Sequence, residues 1–305
     1  MKRTALHKIL HLPLTRLISL ANKTRKESLG DKIELCNIIN AKSGLCNQDC
    51  KFCAQSRTHK TGIETYALKP KKEILAKALR AQDIGAKRFG IVTSGNTLSK
   101  DELKRICEAV VEIKKKSDIK LCASLGSISE EGLRLLKEAG VNRYHHNIET
   151  SAGYFPHIAT THTFADRIAT IRRAKSLGFE VCSGGIIGMG ESMQDRLEMA
   201  LCLRKLKVDA VPINILVPIK GTRLEKQQSL SCAEIIRTIA IFRIILKDRI
   251  IKIAAGRESV LGDFQALAFL AGADGMLIGG YLTIKGRAAE EDHRLVKEIK
   301  KLWMR

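Results

Sequence analysis

Aromatic residues are scarce in this 305-residue chain, at 4% with a single tryptophan, so a surface that stacks nucleic-acid bases is a poor reading of it. No Gly/Ser/Pro-rich linker and no shift in composition divides the sequence, which favours one large domain over two small ones. No apolar run approaches the roughly 20 residues that a membrane-spanning helix needs. The opening stretch MKRTALHKILHLPLTRLISLANKTRK is basic and amphipathic, but His, Pro and Arg interrupt its apolar residues and no small-residue cleavage site follows. It reads as a surface helical extension, not an export signal. Acidic residues are also short in supply, 32 against 53 lysines and arginines, for a formal charge of +21. The excess is scattered over exposed helix faces such as EIKKKSD and KEIKKLWMR, without a compact basic-aromatic motif, and reads as lysine-rich solubility more than as a nucleic-acid site.

Cysteine is what the chain does have. Nine of them, an odd number without an export signal, point to a reducing, cytoplasmic compartment and to metal use, not to a disulfide framework. The segment NAKSGLCNQDCKFCAQS sets Cys46, Cys50 and Cys53 at C-x3-C-x2-C and supplies no fourth thiol nearby. A structural zinc site takes four ligands and a disulfide takes pairs. Three thiolates so spaced can hold three corners of an iron–sulfur cluster and leave one iron open for chemistry. The competing reading is half of a zinc site completed by a distant Cys or His. The spacing differs from zinc-ribbon pairs, and no second C-x2-C follows.

From about residue 30, short β-branched runs alternate with amphipathic stretches. KIELCNII, RFGIVTS, KLCASLG, RYHHNIE, EVCSGGIIG, AVPINIL, IIKIAAG and GMLIGG predict strands. Between them KKEILAKALRAQDIG, KDELKRICEAVVEIKKK, SEEGLRLLKEAG, TFADRIATIRRAKSLG, SMQDRLEMALCLRKL, SCAEIIRTIAIFRIIL and DFQALAFLAGA predict helices. Eight strands alternating with helices fit an α/β fold of the (β/α)8 TIM-barrel type, with a doubly wound open sheet as the alternative. The division expected is a helical extension over residues 1–30 and a barrel domain over 31–305. Cys122, Asn147, Glu149, Cys182, Asn214 and Arg257 fall within or just after predicted strands, where a buried polar group is costly unless something satisfies it. A barrel interior holding a cofactor would do so.

The cysteine spacing, with Phe52 just before the last thiol, resembles the radical S-adenosylmethionine superfamily. Within it, CNQDCKFCAQS, KLCASLG, YHHNIETS, TTHTFADR, EVCSGGIIGMGE, VPINILVPIKGT and AAGRE are similar, in order and from about residue 40 to 260, to the biotin synthase family. The resemblance implies a [4Fe–4S] cluster on Cys46, Cys50 and Cys53, with S-adenosylmethionine on the open iron, and an auxiliary iron–sulfur cluster, [2Fe–2S] or a variant, as sulfur source. It implies that Glu149 holds ribose hydroxyls and that Arg167 pairs with the methionine carboxylate. Asn147 and Asn214 would bind the ureido ring of dethiobiotin, to which an amide offers both donor and acceptor. The implied partners are flavodoxin or ferredoxin as electron donor and a second copy in a homodimer, with no nucleic acid and no membrane.

Cys122, Cys182 and Arg257 match the family's auxiliary-cluster ligands, but the remaining ligand position is Gly90, which cannot donate to iron. Cys36, in the predicted strand adjoining that of Gly90, is the candidate substitute, against the plainer reading of a small apolar core residue. Cys107, Cys202 and Cys232 lie in predicted helices and read as small buried hydrophobes. The glycines of SGGIIGMGES lack dinucleotide spacing and read as room for the adenosine of the cosubstrate. Strand alternation turns His145 towards the pocket and His146 away from it. Two other functions stay open: a related radical enzyme with a different substrate, and a non-catalytic metalloprotein that binds nucleic acid through its charge.

Overall fold

Among the described residues, alternation of inward and outward side chains organises nine short strands: β1 (Glu34–Lys42), β2 (Arg88–Thr93), β3 (Lys120–Ser124), β4 (Arg143–His145), β5 (Glu180–Cys182), β6 (Gly185–Ile187), β7 (Ala210–Ile215), β8 (Ile250–Ile253) and β9 (Gly275–Leu277). In this computed structural model, which describes residues 8–280 and 286–304, every strand pairing in the sheet is parallel. The first seven residues of the N-terminal extension and the final arginine of KEIKKLWMR lie outside the described residues. The strand order is β5-β4-β3-β2-β1-β9-β8-β7-β6, and a further β5–β7 pairing closes the sheet on itself. The open doubly wound alternative is thereby excluded.

The segment EVCSGGIIG, expected as one strand, divides into β5 and β6, which share one of the eight wall positions. The break falls at Ser183–Gly184. A Cβ on Gly184 would stand 1.9 Å from the Pro212 carbonyl oxygen, and one on Gly185 2.1 Å from that of Glu149. Both contacts are impossible for any other residue, so these glycines admit neighbouring strands of the chain itself, which accounts for them without a nucleoside.

Helices surround the wall: α1 (Leu14–Leu29), α2 (Lys71–Asp83), α3 (Lys100–Lys116), α4 (Glu130–Ala139), α5 (Phe164–Ser176), α6 (Met193–Lys205), α7 (Cys232–Leu246), α8 (Gln265–Leu270) and α9 (Ala289–Trp303). Four of them, α3, α5, α6 and α7, start at reciprocal capping boxes, Ser99–Glu102, Thr163–Asp166, Ser192–Asp195 and Ser231–Glu234. From Ile235 to Leu246 α7 is buried almost all round, because α1 covers the face turned away from the barrel. Arg25 of α1 is itself buried, with its guanidinium over the Trp303 ring at 3.5 Å from the centroid. Among the described residues no helix is long and apolar enough to cross a membrane. Cys107 and Cys202 lie in helices, Cys232 opens α7, and all three rest half-buried against the main core, as expected of small hydrophobes.

Candidate functional site

Inside the barrel the period of two along each strand sorts side chains into layers. The lowest is charged. Glu34 of β1, Arg88 of β2, Arg143 of β4, Glu180 of β5 and Lys252 of β8 form one network. Glu34 receives Arg88 Nε at 2.8 Å, Arg143 Nη1 at 2.7 Å and Lys252 Nζ at 2.8 Å. Glu180 receives Arg88 Nη2 at 2.7 Å and Arg143 Nη2 at 2.8 Å. Burial opposes ionisation of Glu34, but Lys252, Arg143 and Arg88 outweigh it and hold the carboxyl well below the usual range. Burial likewise opposes the charge on Lys252, and the neighbouring thiols and Glu34 reverse that and raise its pKa. None of these charges was foreseen as part of the site.

Two residues up each strand lies a layer of thiols. Cys36 follows Glu34, Cys182 follows Glu180, and Cys122 of β3 is paired in register with Gly90. All three line a cavity of about 400 Å³ together with Gly90 and Lys252. Burial pushes the Cys36 thiol up to about 12, against the opposing pull of Lys252. Lys252 Nζ stands 3.1 Å from Cys36 Sγ. Cys36 thus shares one cavity with Cys122 and Cys182.

Arg257, expected beside them, is elsewhere. It opens a π-helical turn after β8, is fully buried, and is engaged bidentately by Asp292 of α9 at 2.7 and 2.8 Å, with Glu258 at 3.0 Å. Two carboxylates hold the guanidinium, and Arg257 does not line the cavity. The cation that does so from β8 is Lys252, five residues earlier.

The next layers carry amides and a carboxylate. Above Arg143, the same chain segment presents His145, Asn147 and Glu149 to the cavity, while His146 is buried and does not line it. Burial lowers the His145 pKa to about 4, so its imidazole is neutral at physiological pH. Asn147 Oδ1 accepts from the Gly184 amide at 3.1 Å, and its Nδ2 donates to Glu149 at 3.2 Å. Asn214 Oδ1 accepts from the Ala255 amide at 3.2 Å, and its Nδ2 donates to the Gly185 carbonyl at 3.1 Å. Each carboxamide is locked in orientation while keeping a second N–H and a second lone pair for a ligand. Glu149 sits at φ 66°, a left-handed conformation that a non-glycine residue adopts only when its surroundings enforce it. Arg167, from the first turns of α5, donates to the Asn147 carbonyl at 3.0 Å and lies 3.6 Å from the Glu149 carboxylate.

The Cys46–Cys53 loop crosses the mouth of the cavity, into which Phe52, Cys53, Ala54 and Gln55 project. Gln55 fastens its base, since its side-chain oxygen accepts from the Gly44 amide at 3.1 Å and its carbonyl from that of Cys46 at 2.9 Å. Cys50 is buried in a small apolar cluster with Phe155, Ile158, Ala159, Met189 and Leu216, against which Phe52 and Cys53 also pack. Burial raises Cys50 to about 12 and Cys53 to about 11. Thiols so desolvated ionise only against a strong positive partner, which is what iron supplies, so the donor set fits an iron–sulfur cluster. Among the described residues no three His, Cys, Asp or Glu side chains converge as around one bare ion. A cluster takes one thiolate per iron around a larger object, so convergence on a point is not required of its ligands.

The model of the Radical SAM superfamily matches residues 42–203, and that of the Biotin and Thiamin Synthesis associated domain residues 212–300. Biotin synthase of Thermotoga neapolitana is 55% identical over 272 residues, spanning 89% of this chain and 97% of that protein. The biotin synthase of Thermotoga petrophila is 52% identical over 298 residues, 97% of this chain and 98% of its own. Among solved structures, methylornithine synthase superposes with a TM-score of 0.83 at 21% identity, over 99% of this chain and 92% of that one. A FeFe-hydrogenase maturase from Carboxydothermus hydrogenoformans does so with a TM-score of 0.80 at 17% identity, over 97% and 76%. At such identities the structural likeness speaks for the barrel alone.

Proposed function

Because the chain belongs to the biotin synthase family of the radical SAM superfamily, we propose that its barrel converts dethiobiotin to biotin by radical sulfur insertion. One observation carries the reading: along a single cavity, two oriented carboxamides, Asn147 and Asn214, stand between a layer of three thiols and a mouth crossed by the C-x3-C-x2-C loop. When bound, the loop's [4Fe–4S] cluster would supply the electron that cleaves S-adenosylmethionine reductively to methionine and a hydrogen-abstracting 5′-deoxyadenosyl radical, and an auxiliary cluster would supply the sulfur.

The chain's residues would hold and shield these groups. Cys46, Cys50 and Cys53 would ligate the upper cluster, with the apolar cluster around Cys50 keeping water from it. Glu149 would bind ribose hydroxyls, and Arg167 the methionine carboxylate. The free N–H and lone pair of Asn147 and Asn214 would grip the ureido ring. Cys36, Cys122 and Cys182 would ligate the auxiliary cluster, Cys36 standing in for the thiol that Gly90 lacks. Lys252 would serve as a cationic donor beside it, and Arg257 has no part in it. Neutral His145 would border the substrate. We further take the chain as a cytoplasmic homodimer with its barrel over residues 31–305. Its charge of +21 suits an acidic flavodoxin or ferredoxin as electron donor.

The test is anaerobic reconstitution with iron and sulfide, reduction, and assay for biotin from dethiobiotin, with Mössbauer spectra of both clusters. Biotin formation together with loss of lower-cluster iron in Cys36→Ala, Cys122→Ala and Cys182→Ala is expected. Release of 5′-deoxyadenosine without biotin would reassign the substrate, and full iron in Cys36→Ala would remove Cys36 from the ligand set.

A further inference from the structure

Between the second and first thiols of the loop stands an acidic side chain that the proposed chemistry does not use. Asp49 is buried, with 7% of its surface exposed, and its carboxylate turns away from the cavity towards the loop that follows β4. There Oδ1 accepts from the backbone amides of Thr160 at 2.9 Å and Thr161 at 3.1 Å, and Oδ2 accepts from the Thr160 hydroxyl. The Asp49 amide in turn donates to the Thr161 hydroxyl oxygen at 3.1 Å. One residue beyond Cys50, the Lys51 amide donates to the Ile158 carbonyl at 2.9 Å. These hydrogen bonds, together with the Thr161 hydroxyl at 3.0 Å from Asp49 Oδ1 and 2.9 Å from Gln48 Oε1, fasten the thiol loop to residues 158–161 on a segment far away in sequence.

That second segment leads straight to Arg167. His162 follows Thr161, and its Nε2 accepts from Arg167 Nε at 3.2 Å. Arg167 then reaches the Asn147 carbonyl and Glu149. Phe155 braces the run from below, edge-on to His162 at 5.4 Å between ring centroids. A carboxylate receiving charge-assisted bonds from two backbone amides and a hydroxyl is a stiff joint. Its effect is to fix the thiol loop relative to the Arg167–Glu149 pair.

The geometry points to Asp49 as a positioning residue that sets the distance and orientation between the cluster ligands and the Arg167–Glu149 pair, and hence the register of S-adenosylmethionine on the open iron. This rests on the radical reading of the site but not on the identity of the substrate that is finally attacked. Asp49 touches neither cluster nor cosubstrate. It acts through the two loops it joins, and a misplacement of that kind costs reaction rate steeply.

The experiment uses the full chain, reconstituted anaerobically and reduced with dithionite, and reads the electron paramagnetic resonance of the loop's cluster during titration with S-adenosylmethionine. Asp49→Ala is expected to retain cluster iron but to need at least tenfold more S-adenosylmethionine for the spectral change. Asp49→Asn, which keeps an acceptor oxygen of the same reach, should stay within about threefold of the unaltered chain. Should Asp49→Ala fold poorly, Thr160→Val combined with Thr161→Val removes the hydroxyl bonds, leaves the two backbone amides in place, and is expected to fall between the two. An unshifted titration in Asp49→Ala, or in the double valine variant, overturns the inference, as does an equal shift in Asp49→Asn and Asp49→Ala. A clear Asp49 dependence in a chain that makes no biotin would uphold the positioning role and discard dethiobiotin alone. A reduced cluster indifferent to S-adenosylmethionine in the unaltered chain overturns both readings.

Discussion

Replacing Glu34 by Gln isolates the charge balance of the barrel floor. Three cations, Arg88, Arg143 and Lys252, face two carboxylates there, and Glu34 receives a bond from each of the three. Glutamine preserves shape and one acceptor oxygen but leaves the cations to Glu180 alone. Breaking a buried ion pair by removing one partner costs about 3–5 kcal/mol. With 17% of the Glu34 side chain exposed and Glu180 still bonded to both arginines, the lower end applies, about 3 kcal/mol. At about 2 °C per kcal/mol for a chain of this size, Tm should fall by about 6 °C at pH 7. The sign with pH follows from a folded-state pKa held below the ordinary 4.5: the stabilisation is complete above that value and is lost as pH falls through the folded pKa. The Tm gap between the unaltered chain and Glu34→Gln should thus be constant from pH 5.5 to 8 and narrow steadily below 4.5. Thermal unfolding followed by far-ultraviolet circular dichroism measures it. A neutral-pH gap under about 2 °C, or one that persists unchanged in acid, refutes the reasoning.

Arg257→Met should unfold more easily, by about 3–5 kcal/mol in urea melts, because it takes the guanidinium away from the buried Asp292 carboxylate. Lower-cluster iron per folded chain should not change, whereas a selective loss of that iron would restore Arg257 as a ligand. Asn214→Ala should raise the KM for dethiobiotin about tenfold, the loss of one hydrogen bond of about 1.4 kcal/mol, with kcat less affected; an unchanged KM would detach Asn214 from substrate. Gly90→Cys should add a thiol to the lower layer. Its Cβ would meet Ile38 Cγ2 at 3.1 Å, a crowding that costs about 1–3 kcal/mol in Tm terms, while standing 3.9 Å from Cys122 Cβ. The Mössbauer parameters of the lower cluster should change, and identical spectra would mean that Gly90 does not face it.

Periodicity made the barrel legible. Each predicted strand overlaps an observed one, since β-branched runs between capped helices leave little choice. What failed to show was the interruption at Ser183–Gly184, because a glycine pair inside an apolar run looks like loop chemistry until the carbonyls of Pro212 and Glu149 are seen beside it. The thiol loop was plain from spacing alone. Arg257 was expected at the cavity because it directly follows a predicted strand and matches the family's ligand position, whereas the chain turns into a π-helical bend there and aims the guanidinium at α9. Strand parity held the signal that was passed over: Lys252, Glu34, Arg88 and Glu180 sit in predicted strands, and the last three lie exactly one inward step below Cys36, Gly90 and Cys182. Asp49 could not have been found this way, because its partners lie 111 and 112 residues away.

The floor and the thiol layer are best understood as one unit. Burial pushes the Cys36 thiol up to about 12 even though Lys252 pulls the other way, so bound iron would have to add positive charge before that thiol ionised. The floor contributes part of the charge, since its cations outnumber its carboxylates and Lys252, bonded to Glu34 below, lies 3.1 Å from Cys36 Sγ above. An ammonium has three donors on a flexible stem, so it can follow a thiolate from the free site to the metal-bound one, where a guanidinium fixed by two carboxylates cannot. Placement therefore separates the two cations: the Arg257 guanidinium is turned to Asp292 and Glu258, whereas Lys252 stands beside the thiol layer at Cys36.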